Sequence, residues 1–292
     1  MFWRAQTLTL ANGKVRIAIV GTPRSGNTWL RWMLSQLIDG DQFAVNGIDE
    51  IDWKRLPANL VLQMHCRATH SYQDLLQQYG FRPVVLARHP LDVLLSILQY
   101  AQQNVHRTTR WIDGEAGNEL ALIGAKPCSP EFEEYATGPR SVALLAVSRE
   151  WSLLPQCRCV KYDQLVADTK AELTQLCRWL GVAPCRSISD VIEEHRIEDL
   201  RSRKNNNHFW QGQPGHWKKL IPAPLAHKIA AAHAETLATF GYTVDPDECL
   251  SVEEATWNWY GKLAKQNWLH NQLRSVVRST KGILYLPKKR AA

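Results

Sequence analysis

The chain has 292 residues, 45% hydrophobic and 22% charged, enough to bury a sizeable core in one large or two small domains. Its formal net charge of +7 sits at the C-terminus: residues 262–292 hold eight Lys and Arg and no Asp or Glu, leaving 27 basic against 28 acidic residues elsewhere. A near-neutral body excludes a nucleic-acid-binding domain, the lack of any apolar run near about 18 residues excludes a membrane span, and seven scattered cysteines without a Cys-x-x-Cys pair exclude a disulfide frame or zinc site. A soluble protein of the reducing cytoplasm is expected.

Residues 15–29 carry the strongest local signal. Ile17–Val20 reads as a buried strand, residues 21–26 as a glycine-bracketed loop, and Thr28–Ile38 as a helix with Trp29, Trp32, Met33 and Leu37 at helical spacing. This is the layout of a phosphate cradle, in which backbone N–H groups and a helix N-terminus converge on an anion. Gly21-x-x-x-x-Gly26-x-Thr28 fits the P-loop spacing at every fixed position but one. Asn27 stands where a nucleoside triphosphatase needs its phosphate-gripping Lys, and the cation sits inside the loop as Arg24. The loop is expected to bind a phosphate and to be poorly built to split ATP; a P-loop kinase is the alternative reading.

Leu60–Met64 is a second strand and Tyr72–Tyr79 a helix. Pro83–Ala87 is a third strand, followed by a helix over Asp92–Gln103. Residues 104–140 are rich in Gly and Pro and read as irregular, either a substrate-covering insertion or a disordered segment. Val142–Trp151 is a helix, Cys157–Tyr162 a fourth strand, and Thr169–Leu180 a helix stopped by Gly181. Strands alternating with helices predict an α/β fold with a central parallel sheet, flanking helices and ligands at the strand carboxyl ends.

Four candidate groups fall at those ends: the Arg24–Thr28 loop, His65, Arg88 with Ser96 eight residues later, and Tyr162. Together they resemble the sulfotransferase family that uses 3′-phosphoadenosine 5′-phosphosulfate (PAPS). The loop from Thr22 to Trp29 resembles the family's 5′-phosphosulfate loop, and Arg88-His89-Pro90-Leu91-Asp92-Val93-Leu94-Leu95-Ser96 resembles its 3′-phosphate motif. His65 falls where the family places its catalytic base. Lys161-Tyr162-Asp163-Gln164-Leu165 resembles the strand end near the adenine, and Gly212-Gln213-Pro214-Gly215-His216-Trp217-Lys218 resembles a late Gly-x-x-Gly-Asp-Trp-Lys stretch.

The resemblance implies a P-loop-like sulfotransferase fold over residues 1–250, an O-sulfotransferase activity, PAPS as cofactor and no metal. It implies Arg24 and His65 as catalytic groups. Arg24, Ser25, Gly26, Asn27, Thr28 and Trp29 would hold the 5′ side of the cofactor, Arg88 and Ser96 its 3′-phosphate, and Tyr162 and Gly212 its adenine end. The acceptor implied is a hydroxyl on a carbohydrate or other small metabolite. A non-catalytic nucleotide-binding protein is the rival from another class.

The chain departs from the family at several points. Arg24 and Gln63 replace frequent lysines, Trp210-Gln211 replaces an Arg-Lys pair, and His216 replaces an acid. The Gly212 backbone and Arg201, Arg203 or Lys204 would then meet the 3′-phosphate. Trp53, Trp111 and Trp210, in loops over residues 39–58, 104–140 and 200–215 expected to set specificity, suit stacking on sugar or aromatic rings. Residues 251–292 form a basic, Trp-containing tail that reads as helical from Glu253 to about Arg278. Across 252–290 it suits an anionic membrane face, a partner protein or its own domain. Membrane contact would favour a lipid-linked glycan acceptor at the inner face.

Overall fold

The structure, a computed structural model, describes residues 13–103, 110–112, 117–202 and 212–261. Five parallel strands form one sheet: β1 (Arg16–Val20), β2 (Asp41–Val45), β3 (Leu60–Met64), β4 (Phe81–Ala87) and β5 (Arg158–Lys161), in the order β2-β3-β1-β4-β5. The register aligns Val20 with Met64, and Ala87 with Lys161. The carboxyl ends of the strands therefore open on one edge.

The helices include α1 (Asn27–Leu37), α2 (His70–Gln78), α3 (Pro90–Gln103), α4 (Pro130–Thr137), α5 (Pro139–Ser152), α6 (Tyr162–Ala167), α7 (Thr169–Leu180), α8 (Ile188–Glu194), α9 (Ile197–Ser202), α10 (Ala223–Ala232) and α11 (Ala234–Phe240). Alternate residues of β1 serve opposite faces, as a pleated strand requires. Ile17 and Ile19 join Leu30, Met33 and Leu34 of α1 with Leu173 and Leu176 of α7. Ala18 and Val20 join Val147 and Trp151 of α5 with Leu76 of α2. A third cluster lies to one side, where α3, α4 and α10 close around Trp217, Leu220 and Trp259.

The expected strands and helices are present, with three differences. Asp41–Val45 is a strand where a loop was expected. Four of its five residues are exposed, so backbone pairing with β3 holds it and no apolar run marks it. Residues 130–137 are helical inside the segment expected to be irregular. Ser129 caps them by accepting from Phe132 N, and Pro130 starts the helix where a missing N–H costs nothing. Tyr162 does not close a strand; it is the first residue of α6. Gly181, with φ 64°, ends α7 as expected.

The tail expectation over 262–292 lies outside the described residues, as do Arg203, Lys204, Trp210 and Gln211. Residues 252–261 are helical, and Trp259 seats them in the third cluster.

Candidate active site

The loop after β1 is held from below before anything binds above it. Ser148 Oγ of α5 accepts from Thr22 N at 2.8 Å and donates to the Leu86 carbonyl at 3.0 Å. Thr22 Oγ1 donates to the Leu144 carbonyl at 2.9 Å. Asn27 Nδ2 donates back to the Thr22 carbonyl at 2.8 Å, so this side chain staples the loop. Thr22, Ser25 and Asn27 are all buried.

Two residues take left-handed backbone conformations there. Arg24 has φ 66° and Gly26 φ 102°. A left-handed non-glycine residue costs about 1–2 kcal/mol, and contacts elsewhere must hold it. One such contact is Arg88 Nη1, which donates to the Arg24 carbonyl at 3.2 Å. Gly26 has a second constraint, because a Cβ there would stand 2.7 Å from the Tyr162 ring. Gly26→Ala is therefore expected to lower unfolding stability by about 1–3 kcal/mol, read from the urea midpoint at constant slope.

Above the loop lies a cavity of about 230 Å³. Its lining includes Arg24, Gly26, Asn27, Thr28, Trp29, His65, Arg88, Ser96, Tyr162 and Gly212, and not Ser25. Arg24 Nε donates to Ser96 Oγ at 3.2 Å, and its guanidinium carbon lies 5.0 Å from the Tyr100 ring centroid. Burial draws the Arg24 pKa down to about 10, with Tyr100 opposing and Arg88 assisting. Ser96, expected beside Arg88, thus meets Arg24 directly. The Arg88 guanidinium carbon lies 4.4 Å from the Tyr162 ring centroid. Tyr162 donates its hydroxyl to the Gly212 carbonyl at 2.8 Å. Trp29 meets Tyr162 edge-on at 6.4 Å and donates its indole N–H to the His195 carbonyl at 2.8 Å.

His65 follows β3 and is buried. Its Nδ1 lies 2.7 Å from the Gly21 carbonyl, which can only accept, so Nδ1 carries the proton. Nε2 then presents a lone pair, contacted by Gln63 Nε2 at 3.4 Å. Gln63 Oε1 in turn accepts from Thr28 Oγ1 at 3.5 Å. Burial pulls the His65 pKa from 6.5 to about 4; the Gly21 carbonyl opposes this, while Arg24 and Arg31 add to it. The imidazole is neutral at pH 7, in the tautomer a general base requires.

The sequence matches the sulfotransferase domain family over residues 14–241. The chain belongs to the sulfotransferase domain family. Among solved structures it is similar to mouse sulfotransferase SULT7A1 complexed with PAP, at 15% identity over 80% of this chain and 90% of that one, with TM-score 0.57. It is also similar to retinol dehydratase in a complex with retinol and PAP, at 12% identity over 81% of this chain and 85% of that one, with TM-score 0.49. At such identities the likeness to SULT7A1 shows a shared fold. No curated protein matches the sequence significantly.

Sequence reasoning missed parts of this cavity. Tyr100 and the end of β2, Ala44 to Asn46, line the cavity, as does Ile197. Tyr100 lies one turn beyond Ser96 on α3, a spacing that could have flagged it. Asp92, in the Arg88–Ser96 stretch, has a structural task. Its two oxygens accept from Gly215 N at 2.7 Å and Trp217 N at 3.1 Å and hold the late glycine loop against α3. Of the three loop tryptophans expected to suit ring stacking, Trp111 lines the cavity. Trp53 does not: it packs 5.2 Å from Tyr79 and 6.1 Å from Phe81.

The buried His65 links folding to pH. In the unfolded chain it takes a proton below about 6.5, and in the folded chain only near 4. Stability is therefore unaffected above pH 6.5 and falls as pH drops through that window, by about 3 kcal/mol at its lower end. Denaturant titrations from pH 7 to pH 4 are expected to show a shallower loss in His65→Asn than in the wild type. His89 and His233, also pulled down by burial, leave the variant a residual slope of the same sign.

Proposed function

We propose that the protein is a PAPS-dependent O-sulfotransferase that sulfates a hydroxyl on a carbohydrate or other small metabolite. The observation that carries this is His65, held with Nε2 unprotonated in the cavity that Arg24 and Arg88 share. The residues present fit a nucleotide with two separate anionic groups. Arg88 Nε is buried and has no partner among the described residues, so a donor stands ready for an anion at the cavity. Arg24, Thr28 and the loop N–H groups suit the 5′-phosphosulfate. Arg88 and Ser96 suit the 3′-phosphate, with Arg88 able to bind as a fork. Trp29 and Tyr162 offer aromatic surface to the adenine, beside the Gly212 backbone.

When bound, PAPS supplies the sulfuryl group, and adenosine 3′,5′-bisphosphate is the leaving product. His65 Nε2 takes the acceptor's proton as its oxygen attacks, and the Gly21 carbonyl steadies the imidazolium through Nδ1. Arg24 offsets negative charge on the departing side in a water-poor setting, where a fixed cation acts strongly. Gln63 lies within reach of both Thr28 and His65 and steadies both. The kinase alternative loses support from Asn27, whose amide is turned back onto Thr22. A cytoplasmic setting suits seven cysteines that are all free thiols.

PAPS labelled in its sulfuryl group, offered with sugars, glycolipids, phenols and amines, tests the reading. Label transferred to a sugar or glycolipid hydroxyl is expected. Label found only on amines, or on no acceptor while PAPS binds, contradicts it.

A further inference from the structure

One face of α3 holds Arg24 in the cavity. Ser96 and Tyr100 stand four residues apart on that helix, so they lie on the same side, one turn apart. Ser96 Oγ accepts from Arg24 Nε at 3.2 Å, and the Tyr100 ring centroid lies 5.0 Å from the guanidinium carbon. Tyr100 is itself fixed. It packs against the cluster that contains Trp111 and Leu122, and its ring meets that of Trp111 at 5.3 Å with the planes tilted by 50°. Trp111 is buried, so a firm wall stands behind Tyr100. Both rings line the cavity.

Arg24 requires such a hold. Its backbone is left-handed, at φ 66°, and a second cation, Arg88, shares the cavity and acts against its charge. A long side chain must be kept in place before an anion arrives, or its ordering is charged against binding. A carboxylate would keep it there, but would also cancel the charge and occupy the N–H donors that an anion needs. A ring face attracts a guanidinium through its π quadrupole and brings no negative charge into the cavity. Taking the cavity as a PAPS site, on which this rests, we propose that Tyr100 is a positioning residue. Its ring face, backed by Trp111, holds the Arg24 guanidinium toward the 5′-phosphosulfate end without neutralising it.

Calorimetric affinities of the full chain for adenosine 3′,5′-bisphosphate and for 3′-AMP test this without a known acceptor. The bisphosphate carries the 5′ group assigned to Arg24, and 3′-AMP lacks it. Tyr100→Leu is expected to weaken the bisphosphate by about 3–30-fold, the range of a partly to fully desolvated cation–π contact, and to leave 3′-AMP unchanged. Tyr100→Phe keeps the ring and should bind both like the wild type. In an Arg24→Ala background Tyr100→Leu should add no further loss, as a residue acting through Arg24 requires. Equal weakening of both ligands would make Tyr100 a general support of the cavity and overturn the proposal. So would a Tyr100→Phe variant as weak as Tyr100→Leu, or a full further loss in the Arg24→Ala background. A wild type that binds the bisphosphate while Tyr100→Leu binds it equally well removes this role alone. A wild type that does not bind it removes the PAPS reading and this role together.

Discussion

Replacing His65 with asparagine is expected to lower kcat by about 10²–10⁴-fold and to leave the affinity for adenosine 3′,5′-bisphosphate within a few-fold of wild type. Asparagine keeps a side-chain donor for the Gly21 carbonyl but offers no basic nitrogen. The loss should therefore fall on proton transfer. Single-turnover rates with saturating PAPS and acceptor would read it, and calorimetry would give the bisphosphate affinity. Retained turnover would remove His65 as the base. Parallel loss of turnover and binding would recast it as a scaffold for the loop, because its ring also fixes Gly21.

Arg24→Ala is expected to lower kcat by about 10²–10³-fold, the usual effect of removing one preorganised cation or donor from a developing charge. Arg24→Lys should recover part of the rate, because it restores charge without the planar fork that meets Ser96. A second readout separates a catalytic from a structural role. The Arg24 cation helps to hold the His65 pKa down, so its removal should raise the base pKa toward 6.5. The acidic limb of the pH–rate profile should then move to higher pH in Arg24→Ala and stay near wild type in Arg24→Lys. A rate loss without that movement would place Arg24 away from His65 in the working site.

The sequence carried most of the cavity because the chemistry lies at strand ends, which apolar runs mark clearly. Ile17–Val20, Leu60–Met64 and Pro83–Ala87 are buried on both faces, and Arg24, His65 and Arg88 follow within a few residues of each. β2 was hidden because an edge strand with four exposed residues needs no apolar pattern. Its end nonetheless supplies Ala44, Val45 and Asn46 to the cavity wall. α4 was obscured by its surroundings of Gly and Pro, although its Ser-Pro start is a helix signal. The roles of Ser148 and Asp92 were unreadable for another reason. Each acts across more than a hundred residues, Ser148 on Thr22 and Asp92 on Gly215, and local spacing holds no trace of such contacts.

The cavity is proposed to hold a nucleotide with phosphates at both its 3′ and 5′ positions. A thermal-shift titration of the wild type and Arg88→Ala with adenosine 3′,5′-bisphosphate, beside AMP, ADP and ATP with Mg²⁺, tests it most directly. At 100 times its dissociation constant a ligand adds about 2.7 kcal/mol of stability, which such a titration detects readily. Stabilisation of the wild type by the bisphosphate above all others, largely lost in Arg88→Ala, is the predicted result. Stabilisation by ATP with Mg²⁺ and not by the bisphosphate, or an Arg88→Ala variant that responds like the wild type, would contradict it.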